Sequence, residues 1–228
     1  MTIDNKELID KTKHYVKVKL LNEPTGRDWY HVERVRKISK VLQSEEGGDS
    51  LVIELAALLH DVGDYKKYGF SQRKGDLALD AMMDILEIDN NLQEKVMAVI
   101  QEAQYNGIET KTPASIESKI LQDADFLECV GAVGIARTFA IGGSFGRAIY
   151  DPKRGPREVQ SRVDYQKKKF EGTSFNYFYE KSLKLPELMN TKAGKKIALQ
   201  RAEFLEKYIE QFLHEWNGED IAATQNED

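Results

Sequence analysis

Leu55-Ala-Ala-Leu-Leu-His60-Asp61-Val-Gly-Asp64 carries an apolar helical run straight into a histidine and an aspartate. Titratable groups are costly to bury unless they are paired or bound to a metal, so the doublet requires a partner. Two readings meet that need. One is a core histidine hydrogen-bonded to a neighbouring carboxylate. The other is a divalent-metal site, since imidazole and carboxylate are the usual ligands of Zn, Mn, Fe or Ni. Upstream, Leu51, Val52, Ile53, Leu55, Ala56, Leu58 and Leu59 make the helix apolar nearly all round, which places it at the centre of the fold. Asp49 or Ser50 caps its start, and His60 and Asp61 sit at its C-terminal end.

Working outward, apolar residues recur at helical spacing and no convincing strand alternation exists, so the fold class is all-α. Asp4 and Glu7 have the spacing of a capping box for a first helix running to about Leu21. Asn22 to Gly26 reads as a loop, and Asp28 as the N-cap of a second helix. On that helix His31, Val35, Ile38 and Leu42 share one face. A loop from Val62 to about Gln72 precedes helices near 73–87, 91–105, 115–129 and 131–140. The third of these holds Asp123 and Asp125, about 200° apart on a helix of 3.6 residues per turn, so both cannot face one ion. Thr173 or Ser174 is placed to cap an aromatic helix with Phe175, Tyr177, Phe178 and Tyr179. A last helix spans about Thr191 to Trp216, with Ile197, Phe204, Tyr208, Phe212 and Trp216 as its apolar stripe. Residues 1–217 read as one domain, followed by a polar, fraying tail over 218–228.

The composition narrows the function classes. The 228 residues are 41% hydrophobic and 31% charged, the balance of an ordinary globular protein. A net charge of −5 argues against general nucleic-acid binding. No apolar run of about 18 residues predicts a membrane span, and the N-terminus lacks a signal-peptide profile. One cysteine, Cys129, fits a reducing cytoplasm and a packing role. Local positive charge is concentrated from Arg147 to Lys169, with eight Lys or Arg against three acids. That stretch is either a solvated loop or a flap for an anionic substrate. His14 and His214 are expected at the surface.

The ordered set His31, His60-Asp61 and Asp125, the last within Ala124-Asp-Phe-Leu127, resembles the HD-domain metal-dependent phosphohydrolases, most closely the small bacterial single-domain members. Asp28-Trp-Tyr-His31-Val, Gly131 to Arg137 and Thr173 to Lys181 extend the resemblance over about residues 25 to 215. It implies an HD-type helical bundle in which His31, His60, Asp61 and Asp125 bind one divalent cation. Mn is expected first, with Mg, Fe, Co, Ni and Zn open. The family pattern selects Asp125 over Asp123, which would then orient a ligand histidine. It also implies that Asp64 prepares the attacking water and that Arg137 and Lys181 meet substrate, while the positive charge of Lys66 and Lys67 beside the doublet makes them further substrate-binding candidates. The implied activity is hydrolysis of a (deoxy)nucleoside triphosphate to monophosphate and pyrophosphate. A 5′-nucleotidase, a guanosine polyphosphate hydrolase and a nucleotide-binding regulator with little turnover are the alternatives. Expected partners are a small nucleotide, no nucleic acid and no membrane, with room for a homodimer. Only four histidines occur and none lies between residues 61 and 213, so the site is expected to hold one metal. The chain departs from the family pattern at Gln101 to Tyr105 and at Tyr177, where histidine is common.

Overall fold

The computed structural model describes residues 4–64, 69, 71–157 and 171–224, and every regular element within them is helical. In chain order these are α1 (Asn5–Leu20), α2 (Trp29–Glu46), α3 (Ser50–Leu59), α4 (Gln72–Ile85) and α5 (Asn90–Glu102). Then come α6 (Ile116–Leu127), α7 (Gly131–Ser144), the single turn α8 (Tyr177–Glu180), α9 (Lys192–Trp216) and α10 (Glu219–Thr224). Short 3₁₀ turns occupy Gly107–Glu109 and Ser182–Leu188.

The central helix is α3. Its residues from Val52 to Leu59 are all buried, and it packs against α1, α2, α5 and α6. Asp49 starts it, accepting hydrogen bonds from Leu51 N at 3.0 Å and Val52 N at 3.2 Å. Asp28 does the same for α2 through His31 N at 2.9 Å. Each such cap contributes about 1 kcal/mol and fixes where its helix begins. The two caps therefore set the register of the histidines that α2 and α3 deliver.

A second apolar cluster joins Phe126 of α6 to Val130, Ile135, Phe175, Phe178, Leu185 and the Ala202, Leu205, Ile209 face of α9. Since Ala124 belongs to the first cluster and Phe126 to the second, α6 is the shared wall. The carboxylate of Asp123, on this wall, docks the start of α9. It accepts from Asn190 N and Nδ2, both at 2.9 Å, and from Thr191 N at 2.8 Å and Oγ1 at 2.7 Å. A Cβ on Gly194 would come within 2.5 Å of Asp123 Oδ2, so only glycine permits this approach.

Several local expectations change. Asp4 precedes α1 but makes no capping bond. The aromatic stretch forms only one α turn before a 3₁₀ run containing Pro186, which cannot donate a backbone bond. On α9 the closest packing uses Ala198, Ala202, Leu205 and Ile209, while Phe204 and Trp216 are 51% and 46% exposed. Small residues let the helix approach α6 and α7, while Ile197, Tyr208 and Phe212 of the expected stripe pack at the edge of the clusters. The tail is helical as far as Thr224 instead of fraying from 218. Of the basic stretch, residues 158–169 lie outside the described residues. Its first part is tethered, with Ala148 O and Ile149 O accepting from Ser174 N and Phe175 N, each at 2.9 Å, and Arg157 paired with Glu180. No single helix among the described residues is long and apolar enough to cross a membrane.

Candidate metal centre

His31 occupies the first turn of α2, His60 caps the C-terminus of α3, Asp61 follows it and Asp125 lies on α6. His31 is fully buried and Asp61 is 1% exposed. One ligand atom from each of His31, His60 and Asp125 lies within 4.8 Å of the others. Asp61 lies beside this group, with Oδ2 3.5 Å from His31 Nε2 and Oδ1 3.7 Å from His60 Nε2.

The tautomers follow from the partners. His60 Nδ1 is 2.8 Å from Ala57 O, which can only accept, so Nδ1 carries the hydrogen. His31 Nδ1 is 3.1 Å from Glu128 Oε2 and donates likewise. In the neutral form of each ring Nε2 is then the acceptor, and the two Nε2 atoms face each other at 3.3 Å. Asp125 Oδ1 is 3.5 Å from His31 Nε2, is buried and has no hydrogen-bond partner among the described residues. Two imidazole nitrogens and two carboxylates converging in this way fit a divalent cation of borderline hardness.

The charges are arranged for the same purpose. Burial pushes His60 below its ordinary value and favours the neutral ligand form. Burial also opposes the charge on Asp125, but His31, His60 and Arg27 outweigh it and hold the carboxyl well below the usual range. Glu128 orients His31 and is held in turn by Arg34, whose Nε and Nη2 reach it at 2.9 and 2.8 Å. This carboxylate behind a ligand histidine is the arrangement that fixes imidazole direction at metal sites. Asp123 was expected in that role. Its bonds from Asn190 and Thr191 show it docking α9 instead.

The cluster opens into a cleft, partly open to solvent, whose lining includes Arg27, Asp64, Gln104, Tyr105 and Lys181. Asp64 is 8% exposed, with Oδ2 3.2 Å from Arg27 Nη1. Lys181 is 5% exposed. Its Nζ lies 4.2 Å over the Tyr105 ring, 5.8 Å from the Tyr177 ring and 3.6 Å from Cys129 Sγ. Burial works against the ammonium, but Cys129, Tyr177, Tyr105 and Asp125 outweigh it and keep the group charged. Tyr105, at the end of the departing stretch Gln101 to Tyr105, and Tyr177, the other departure from the family pattern, thus flank this lysine. Arg137 is not brought to the cleft. Its Nε donates to Gly26 O and its Nη1 to Glu128 O, both at 2.8 Å, so it braces two segments of the site from behind. Lys66 and Lys67 lie outside the described residues. Arg27, Arg34 and Glu128 were not singled out in the sequence. Only the position of Glu128, three residues after Asp125 and so on a neighbouring face of α6, could have suggested one of them.

Residues 28–128 match the family model of the HD domain. YpgQ of Bacillus subtilis, an uncharacterized protein, is 28% identical over 217 residues, covering 94% of this chain and 97% of YpgQ. Its crystal structure in complex with ADP superposes with a TM-score of 0.69 at 28% identity, covering 92% of this chain and 95% of that one. A Lactobacillus plantarum protein of known structure is 30% identical with a TM-score of 0.81, covering 92% of this chain and 97% of its own. An HD-superfamily hydrolase from Bacillus thuringiensis is 40% identical with a TM-score of 0.69, covering 94% of this chain and 99% of its own. Agreement over nearly the full length of both chains, on a helical frame that gathers His31, His60, Asp61 and Asp125, places this chain in the HD superfamily as a metal-dependent phosphohydrolase.

Proposed function

We propose that the protein hydrolyses nucleoside or deoxynucleoside triphosphates to monophosphate and pyrophosphate. The observation that carries this reading is Lys181. It is a buried ammonium with no carboxylate at ion-pair distance among the described residues, lining the same cleft as the candidate metal ligands. A buried charge of this kind is costly unless an anion completes it. The YpgQ complex with ADP supports a nucleotide as that anion.

In this reading His31, His60, Asp61 and Asp125 hold one divalent ion, with Mn first because the N/O donor set offers no thiolate to favour softer metals. Bound there, the ion supplies Lewis-acid chemistry, lowering the pKa of water and drawing charge from phosphorus–oxygen bonds. Asp64 accepts the proton of the attacking water. The water oxygen bonds to the α-phosphorus, and the bridging oxygen leaves with the β- and γ-phosphoryl groups as pyrophosphate. Lys181 offsets the charge that develops on the leaving group. Among the described residues of the cleft, three carboxylates, Asp61, Asp64 and Asp125, outnumber the cations Arg27 and Lys181, so a bound divalent ion would favour a polyanion there.

The test is metal-loaded protein incubated with a nucleotide panel, with pyrophosphate and orthophosphate assayed separately. Pyrophosphate equimolar with monophosphate is the expected product. Orthophosphate released faster from monophosphates would make the protein a 5′-nucleotidase. Pyrophosphate released only from a guanosine polyphosphate would make it an alarmone hydrolase. Tight nucleotide binding without turnover under any divalent metal would make it a regulator.

A further inference from the structure

The loop between α1 and α2 is built around an arginine that no expectation had assigned. Glu23 accepts hydrogen bonds from Thr25 N at 3.0 Å, Thr25 Oγ1 at 2.7 Å and Arg27 N at 3.0 Å, closing the loop on itself. Gly26 adopts φ +74°, a conformation costly for other residues, and a Cβ there would lie 3.3 Å from Arg137 Cγ. Arg137 Nε holds the Gly26 carbonyl at 2.8 Å. Asp28 then caps α2. Arg27 is thus fixed on both sides, four residues before the ligand histidine His31.

Its side chain, 18% exposed, lines the cleft and uses one nitrogen for protein contacts. Nη1 bridges Asp61 Oδ1 at 2.7 Å and Asp64 Oδ2 at 3.2 Å. Among the described residues, Nε and Nη2 have no partner. Other arginines of the chain differ in this respect. Arg34, Arg36 and Arg157 each direct the Nε–Nη2 edge at a carboxylate, of Glu128, Glu33 and Glu180 respectively. That edge is a planar fork matched to two oxygens of a carboxylate or phosphate. A partly buried guanidinium whose fork is uncommitted, inside a cleft that takes a phosphoanion, has a vacant recognition edge.

We propose that Arg27 is a substrate-binding residue whose Nε–Nη2 fork grips two oxygens of a phosphate group, while Nη1 keeps it in register with Asp61 and Asp64. This rests on the reading of the cleft as a phosphoanion site. It goes further in naming the residue and the geometry of recognition. The requirement is for a fork, not merely for a positive charge.

The experiment measures binding of inorganic tripolyphosphate, a probe with no base or sugar, to Mn-loaded wild type, Arg27→Lys and Arg27→Gln by calorimetry. Metal content and thermal midpoint are recorded for each. Arg27→Lys keeps the charge and loses the fork, so it should weaken binding at least tenfold with about one Mn per chain retained. Arg27→Gln should weaken it further. Wild-type affinity in Arg27→Lys would overturn the fork. Loss of Mn from Arg27→Gln with unchanged tripolyphosphate affinity in Arg27→Lys would make Arg27 a counter-ion of Asp61 only. Failure of Mn-loaded wild type to bind tripolyphosphate would refute the phosphoanion reading of the cleft, and this proposal with it. Normal wild-type binding that both variants share would refute Arg27 alone.

Discussion

The residues proposed to hold the metal and those lining the rest of the cleft come from different kinds of structure. His31, His60 and Asp125 stand on or at the ends of α2, α3 and α6, the helices of the main core, with Asp61 one residue beyond. Arg27, Asp64, Gln104, Tyr105 and Lys181 stand on connections between helices. The first group is held by packing and by two N-caps. The second is held by the Glu23 turn, by Arg137, by the ion pairs of Arg27 and by cation–π contact. Changes in the first group should therefore remove the metal, and changes in the second should alter substrate handling with the metal in place.

The widest separation is expected between His60→Ala or Asp61→Ala and Lys181→Met. Either of the first two should take metal content from about one ion per chain to none and activity to background, with helical content retained. Lys181→Met should keep the metal and raise KM by about tenfold, the scale of one charge-assisted contact. Elemental analysis with steady-state kinetics reads both effects. Metal retained in His60→Ala, or lost in Lys181→Met, would break the division.

Asp64 stands at the boundary, on the connection after α3 and paired with Arg27 at 3.2 Å. Asp64→Asn should lower kcat about 10²–10⁴-fold with unchanged metal content if it takes the proton from water. An unchanged kcat would reduce it to a partner of Arg27. Loss of metal would add it to the ligands.

This division also explains what was legible in the sequence. The all-α class and the His60-Asp61 doublet could be read from apolar residues at helical spacing, while the set His31, His60-Asp61, Asp125 came from the family resemblance. Asp28 was equally plain and Asp49 was one of two candidates with Ser50, since a cap acts on its immediate neighbours. Arg27 was not legible, because its position depends on the Glu23 turn and on Arg137, 111 residues away from Gly26. Lys181 is named by the family resemblance, but its surroundings, Tyr105 and Cys129 on other segments, are not visible in the sequence. Arg137 matched the family pattern and was read as a substrate contact. Its partners are two backbone carbonyls that no sequence spacing reveals. Asp123 misled for a similar reason, since its binding partners lie across the shared wall in the segment that starts α9.

A smaller effect sharpens the contrast on the metal side alone. Glu128→Gln should weaken metal affinity about 10–100-fold by loosening His31. Asp123→Asn should leave affinity unchanged and lower the thermal midpoint, because it disturbs the docking of α9. Glu128 has its carboxyl below the ordinary range: burial raises it, but His31, Arg34 and Arg137 outweigh that. Its contribution to stability is therefore present above the unfolded-state pKa and lost as pH falls through the lower folded-state value. The acid limb of stability should flatten in Glu128→Gln. A larger loss of metal affinity in Asp123→Asn than in Glu128→Gln would reverse the assignment of the two carboxylates.

The most direct test of the central claim is hydrolysis of a nucleoside triphosphate by Mn-loaded protein in ¹⁸O-labelled water, with products followed by ³¹P NMR and mass spectrometry. The account predicts one ¹⁸O in the nucleoside monophosphate, none in the pyrophosphate, and no reaction by His60→Ala. Label in pyrophosphate, or orthophosphate as the primary product, would contradict attack at the α-phosphorus.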